Sequence, residues 1–234
     1  MVAHHPWRAP HFGEFMEYEM FCDLHAKMFY GFWSLIDYFN TIMSNKAEIA
    51  KAEYKKVQDR NLDMEKQYFI GEELRNYFEN EFIDITTSSM IINLSNRVEI
   101  YLKKLGNQIK KDKQLSVGFD KFNGSSIEKT KAFFSVYSIY NIEQEDLDVL
   151  EEVQKIRDCL VHCNGNIDDS RDKEFLKSII NDSNKAITIN GEMVITENYC
   201  SKLLVRTKDI MVNIYKKAGY GMIRETHIGT NRIT

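Results

Sequence analysis

The residues best suited to chemistry lie together in Arg157-Asp158-Cys159-Leu160-Val161-His162, followed by Cys163-Asn164-Gly165. Imidazole is the side chain that gains and loses a proton near neutral pH. A guanidinium stays charged and can fork onto oxygens where negative charge builds. A carboxylate beside them can orient either group. Together the three suit a reaction in which a proton moves and an oxyanion is stabilised.

The element that must position them reads as one helix. Leu147, Leu150, Val153, Ile156 and Leu160 recur near the 3.6-residue period. Glu143, Glu145, Asp146 and Asp148 crowd its start, where the helix dipole favours negative charge. Asn164-Gly165 is a stop signal, since glycine accepts the left-handed conformation of a helix end. Arg157 and His162 therefore fall in the last two turns. Asp158 and His162 are four apart and share a face, so the carboxylate can orient the imidazole or else hold Arg157. Arg157 and His162 are five apart, roughly 140° around the axis by the 3.6-residue repeat. One helix aims them in different directions, whereas two copies across a two-fold axis can line one cleft with two of each. That predicts a composite site in a homodimer. The plainer reading is that an arginine and a histidine here only complement the dipole and bond the last carbonyls.

The chain has 234 residues, 43% of them hydrophobic and 12% aromatic, enough for one large or two small domains with a substantial core. Its only prolines are Pro6 and Pro10, so nothing later forces a helix to stop. Cys22, Cys159, Cys163 and Cys200 form no dense disulfide pattern, and no signal peptide opens the chain; both point to a reducing, cytoplasmic setting. No apolar stretch reaches membrane-spanning length, so no membrane partner is expected. The net charge of -4 hides an asymmetry, with 15 acidic and 8 basic side chains in residues 14–85 against 20 and 22 in residues 86–234. A mildly acidic total does not advertise nucleic-acid binding, yet it leaves room for a local basic cleft.

Residues 1–13 read as an irregular polar arm; His4, His5 and His11 lack the Cys or carboxylate partners of a metal site. Glu14 to about Ser44 reads as a helix with a heptad seam of Tyr18, Phe21, His25, Met28, Phe32, Leu35, Phe39 and Ile42, widened by Cys22, Phe29, Trp33 and Ile36. Asn45 is its break, and 46–68 form a second helix with Ala47, Ala50, Tyr54, Val57, Met64 and Tyr68 on one stripe. The two make an antiparallel hairpin. The seam packs within the chain or, alternatively, forms an intermolecular coiled coil. A short helix is expected from Glu72 to Phe82. Thr86-Thr87-Ser88-Ser89 then offers N-caps to an amphipathic helix of Ile91, Leu94, Val98, Tyr101, Leu102 and Leu105. Its far end is basic through Lys103, Lys104, Lys110, Lys111 and Lys113, a run that is a solvated face or a phosphate-contacting edge. Asn96 and Glu99 lie on its polar side.

Residues 114–125 read as a loop and Ser126 as the cap of a short helix reaching Tyr137–Tyr140. Beyond the central helix comes a helical segment near Lys173–Ile180. Ala186–Thr196 alternates around Asn190-Gly191, the strongest short-range hairpin signal. Thr196 caps a last helix with Tyr199, Leu203, Leu204, Met211, Ile214 and Tyr215 inward, ending at Gly219. The tail 219–234 is expected to be mobile. The fold class is therefore all-α: an up-and-down helical bundle with a small β-hairpin before the C-terminal helix. Its parts are an N-terminal extension 1–85 that can belong to the same bundle, a helical domain 86–218, and the tail. Cys159, His162 and Cys163, with Cys200 or His25, also have a spacing that a metal could use, though cysteines on a helix are more often small core residues.

This order of elements, with a helix ending Ile156-Arg157-Asp158-x-x-x-His162-x-Asn164-Gly165, resembles the HEPN superfamily over roughly residues 86–218. Its ribonuclease members carry Arg, four to six residues, then His, often with a polar residue after the Arg. Arg157, Asp158 and His162 fit with a four-residue gap; Asp158 stands where Asn is commoner. The resemblance implies a metal-independent endoribonuclease without cofactor. RNA supplies its own nucleophile, the 2′-hydroxyl. His162 would shuttle protons, Arg157 would hold the phosphate oxygens, and Asp158 would orient one of them, leaving a 2′,3′-cyclic phosphate and a 5′-hydroxyl. Lys103, Lys104, Lys110, Lys111 and Asn164 are the candidate RNA contacts. A growth-arresting toxin or antiviral defence effector, with a neutralising antitoxin or regulatory partner, is the implied setting. The other expectation is a non-catalytic HEPN-like domain that binds nucleotide or a partner protein.

Overall fold

The computed structural model describes residues 24–60, 62–189 and 191–221. The His-bearing arm, the seam positions Tyr18, Phe21 and Cys22, Asn190 and most of the expected tail lie outside them. The first described helix, α1, spans Leu24–Gln58 without a break at Asn45. The segment after Asn45 is rich in Ala, Glu and Lys and has no Gly or Pro, so one exposed asparagine costs less than about 0.7 kcal/mol in the helix. The helix gives way to a turn at Asp59-Arg60 instead. Asp63 caps α2, Met64–Asn76, by accepting from the Lys66 amide at 2.9 Å. The expected second helix is thus shared between the two arms of the hairpin, which the Tyr54 hydroxyl fastens by donating to the Gly71 carbonyl at 2.9 Å.

His25, Met28, Phe32, Leu35 and Phe39 of the seam are buried, while Met43 rather than Ile42 continues it and Trp33 is 47% exposed. A single π turn, Tyr77–Glu81, joins α2 to α3, Phe82–Asp112. The separate helix expected from Glu72 to Phe82 does not form. Neither do Thr86–Ser89 cap anything: they lie inside α3, where Thr86 and Thr87 are buried and the Ser88 hydroxyl donates to Asp84 at 3.1 Å. From Tyr77 to Met90 the sequence holds no Gly or Pro to stop a helix. The π turn shifts the helix face enough to bury Phe78 and keep Met90, Ile91 and Leu94 inward.

The remaining elements are α4 (Ser126–Val136), α5 (Gln144–His162), α6 (Lys173–Ile180), β1 (Ala186–Ile189), β2 (Glu192–Ile195) and α7 (Glu197–Tyr215). The fold is mostly helical, with one antiparallel hairpin before the last helix, as the sequence pattern predicts. Ser125, not Ser126, caps α4 through a reciprocal capping box with Glu128. The hairpin pairs Ile189 with Glu192 around Gly191, whose φ is 86°. Thr196 caps α7 by accepting from the Tyr199 amide.

α3 is the central post, touching α1, α4, α5, α7 and β2. It runs parallel to α7, since Cys200 meets the Thr87 carbonyl and the Tyr215 hydroxyl donates to the Tyr101 carbonyl at 2.7 Å. The Tyr101 hydroxyl in turn donates to the Lys27 carbonyl of α1 at 2.9 Å. Residues from Met28 to Ala218 share one apolar core, so α1 packs within the chain against α3 and α7, and position 85 lies in the first turn of α3. Among the described residues no helix is long and apolar enough to cross a membrane.

Gly106 is where α3 must come close to a neighbour. A Cβ there would stand 2.6 Å from the buried Phe119 ring. Overpacking of this kind costs about 1–3 kcal/mol. Gly106→Ala is therefore expected to lower the unfolding free energy by that amount, read as a lower urea midpoint with an unchanged slope, and an unchanged midpoint would show that the ring moves freely.

Candidate functional site

The end of α5 is fixed by its own stop signal and by the hairpin. The amides of Cys163 and Gly165 both donate to the Cys159 carbonyl, at 3.0 and 3.2 Å. Asn164 and Gly165 take φ values of 50° and 78°, the left-handed region that ends a helix. The Gly165 carbonyl then accepts from the Met193 amide at 3.0 Å, and Asn166 bridges to Glu192. Strand β2 thereby anchors the turn that carries His162. Leu147, Leu150, Val153, Ile156 and Cys159 form the buried face. Burial pushes the Cys159 thiol up to about 11, which makes it an unreactive core residue. Among the described residues, no three His, Cys, Asp or Glu side chains converge to hold a metal ion.

Arg157 leaves this face towards α3 and α4. Its guanidinium donates to Asp158 at 2.8 Å, and its side chain is 29% exposed. With Asp158 it lines a polar cleft of about 190 Å³, closed by Ser95 and Glu99 of α3 and by Ser125 and Lys129 at the start of α4. The Arg157 Nε is buried without a hydrogen-bond partner. An unsatisfied buried donor costs about 1–3 kcal/mol, and this one is left unused by the guanidinium's pairing with Asp158. On the other side of the carboxylate, Arg171 donates to Asp158 at 3.1 Å and to Asp172 at 3.3 Å. A second groove, containing Lys155 and Arg171, shares Gly124, Ser125, Gln154 and Asp158 with the first. The Ser125 amide and hydroxyl hold the Glu128 carboxyl below the ordinary carboxylate range. That hydrogen bonding ties Glu128 to the helix start.

His162 ends α5 and is exposed. Its side chain makes no hydrogen bond or ion pair among the described residues, and it lines neither groove. The five-residue offset separates it from Arg157 as the helical repeat requires. Asp158 is engaged by the two arginines and makes no hydrogen bond or ion pair with His162. Asn164 is exposed just beyond. Lys103, Lys104, Lys110 and Lys111 are all exposed. Lys103 pairs with Asp120 at 3.3 Å, and Lys104 lies over the Tyr101 ring at 5.1 Å. Lys103 stands one turn beyond Glu99, but Lys110 and Lys111 are about 10–12 Å beyond Lys103 along α3 by the 1.5 Å rise, away from the cleft. The structure thus brings Arg157 and Asp158 together, leaves His162 on a different face, and does not gather the lysines around either.

Sequence reasoning missed Arg171, Lys129 and Gln154. For Arg171 the only signal was the charged run Asp168-Asp169-Ser170-Arg171-Asp172, which reads equally well as a solvated loop. No family model, curated protein or solved structure matches this chain.

Proposed function

We propose that the chain is a metal-independent endoribonuclease of HEPN type, acting as a homodimer. The observation that carries this reading is the division of labour at the end of α5. Arg157 is fixed in a polar cleft, and His162 stands exposed and unengaged on another face, so each subunit can offer both groups to a shared groove. The helical bundle with a hairpin before its last helix agrees with it. In the reaction, the 2′-hydroxyl oxygen bonds to the adjacent phosphorus and the 5′-oxygen leaves. One imidazole accepts the 2′-hydroxyl proton and another supplies a proton to the 5′-oxygen. Arg157 stabilises the negative charge on the non-bridging oxygens. Asp158 holds Arg157 in the cleft before the strand binds. Lys103, the nearest of the α3 lysines, and Asn164 extend the contact with the strand. A cytoplasmic toxin or antiviral effector, restrained by a neutralising partner, is the setting this activity fits.

Purified protein incubated with single-stranded RNA in excess chelator is expected to give fragments ending in a 2′,3′-cyclic phosphate. RNA left intact, or cut only when divalent cation is added, would overturn the reading. One observation favours a non-catalytic nucleotide-binding or protein-binding domain instead: Arg157 is already paired with Asp158. Intact RNA together with measurable nucleotide binding would select that reading.

A further inference from the structure

We propose that the Arg157–Asp158–Arg171 cluster is a phosphate-diester site in which Asp158 occupies the phosphate's place until single-stranded nucleic acid arrives. The inference rests on the reading of this groove as a nucleic-acid site, but not on cleavage. One carboxylate bridges two guanidiniums: Oδ1 accepts from Arg157 at 2.8 Å and Oδ2 from Arg171 at 3.1 Å. The two non-bridging oxygens of a diester present the same pair of acceptors to the same donors. The buried Arg157 Nε also has no hydrogen-bond acceptor. A phosphate that draws the guanidinium away from Asp158 can take that donor as well. Arg171 is 79% exposed and reaches the site from the loop before α6, so it is free to follow the strand.

The charges around the groove explain why the carboxylate decides the outcome. Lys129 and Lys155 line it, but so do Glu99, Glu128, Glu151 and Asp172. Glu128 is committed to Ser125, Asp172 to Arg171, and Glu151 lies 3.8 Å from Lys155. Counted with Arg157 and Arg171, four cationic side chains face four anionic ones besides Asp158, so the charge on Asp158 sets whether the two arginines attract a phosphate or are spent on their counter-ion.

The test measures binding of an oligodeoxythymidylate about fifteen nucleotides long to the full chain by fluorescence anisotropy across a salt series. This probe lacks the 2′-hydroxyl, so a protein that cuts no RNA can still support the proposal. Asp158→Asn keeps the side chain's size and removes its charge. It is expected to tighten binding at least about fivefold, as loss of a like charge a few ångströms from a phosphate should. Arg171→Ala is expected to weaken binding at least threefold and to flatten the plot of log affinity against log salt by about 0.7, one phosphate contact on a single strand. Because Arg171 is exposed, that variant keeps the proposal testable even if Asp158→Asn fails to fold. Wild-type protein that does not bind the probe, a folded Asp158→Asn that binds no tighter, or an Arg171→Ala with unchanged affinity and slope would each overturn it. Binding of inorganic phosphate without the oligonucleotide would overturn the diester assignment.

Discussion

RNA cleavage by the His162→Ala variant is expected to fall roughly 10²–10⁴-fold, the usual contribution of a positioned acid–base group. The same change should leave the fold intact. His162 is exposed at the last position of α5, and its side chain makes no hydrogen bond or ion pair among the described residues. Substitutions at such positions usually move stability by less than about 0.5 kcal/mol. Single-turnover cleavage in chelator, read beside a urea melt, separates the two effects. Undiminished cleavage would remove His162 from the mechanism. A lowered melt with little loss of rate would mean that the imidazole merely complements the helix dipole. Arg157 is a less clean probe, because its removal also strips Asp158 of a partner and opens the cleft.

Phe133→Ala should produce the largest loss of stability, about 3–5 kcal/mol. Phe133 is fully buried in α4, and its ring lies within 5.2 Å of Tyr137, 5.7 Å of Phe122 and 6.1 Å of Phe119. Its removal leaves a space that several rigid rings cannot close together, and aromatic pairs add about 0.5–1.5 kcal/mol beyond their area. These rings seat α4 and the 119–122 turn against α3, and α4 begins at the cleft. The variant should therefore lose oligonucleotide binding as well as stability. Denaturant unfolding followed by circular dichroism gives the value, and a loss below about 1 kcal/mol would mean that the aromatic cluster repacks.

Much of the fold was legible because local signals and packing agreed. Lys173–Ile180 forms the helix expected there, Asn190-Gly191 marks the hairpin, and Thr196 caps α7. The sequence misled where one weak local signal was asked to end a helix. Asn45 and Thr86–Ser89 disfavour helix only slightly, and neighbours with good propensity carry the backbone through them. The π turn at Tyr77–Glu81 has no sequence signature, since it answers the need to turn Phe78 inward. At the site, the position of Arg157 and His162 on α5 and the angle between them followed from spacing. The second partner of Asp158 did not. It comes from a loop 13 residues on, and only the path of that loop returns Arg171 to the carboxylate.

Helix α2 buries none of its residues, and Met64, Tyr68 and Phe69 are 87%, 72% and 63% exposed. A helix of this length gains little from its backbone alone and usually depends on an apolar face packed against the core. Its amides should therefore exchange with deuterated water through small local openings, well before those of α3 near Leu94 to Leu105, whose protection reports the unfolding of the whole chain. The protein thus has a soft limb joined to a hard trunk, and a protease given brief access would cut it first within α2.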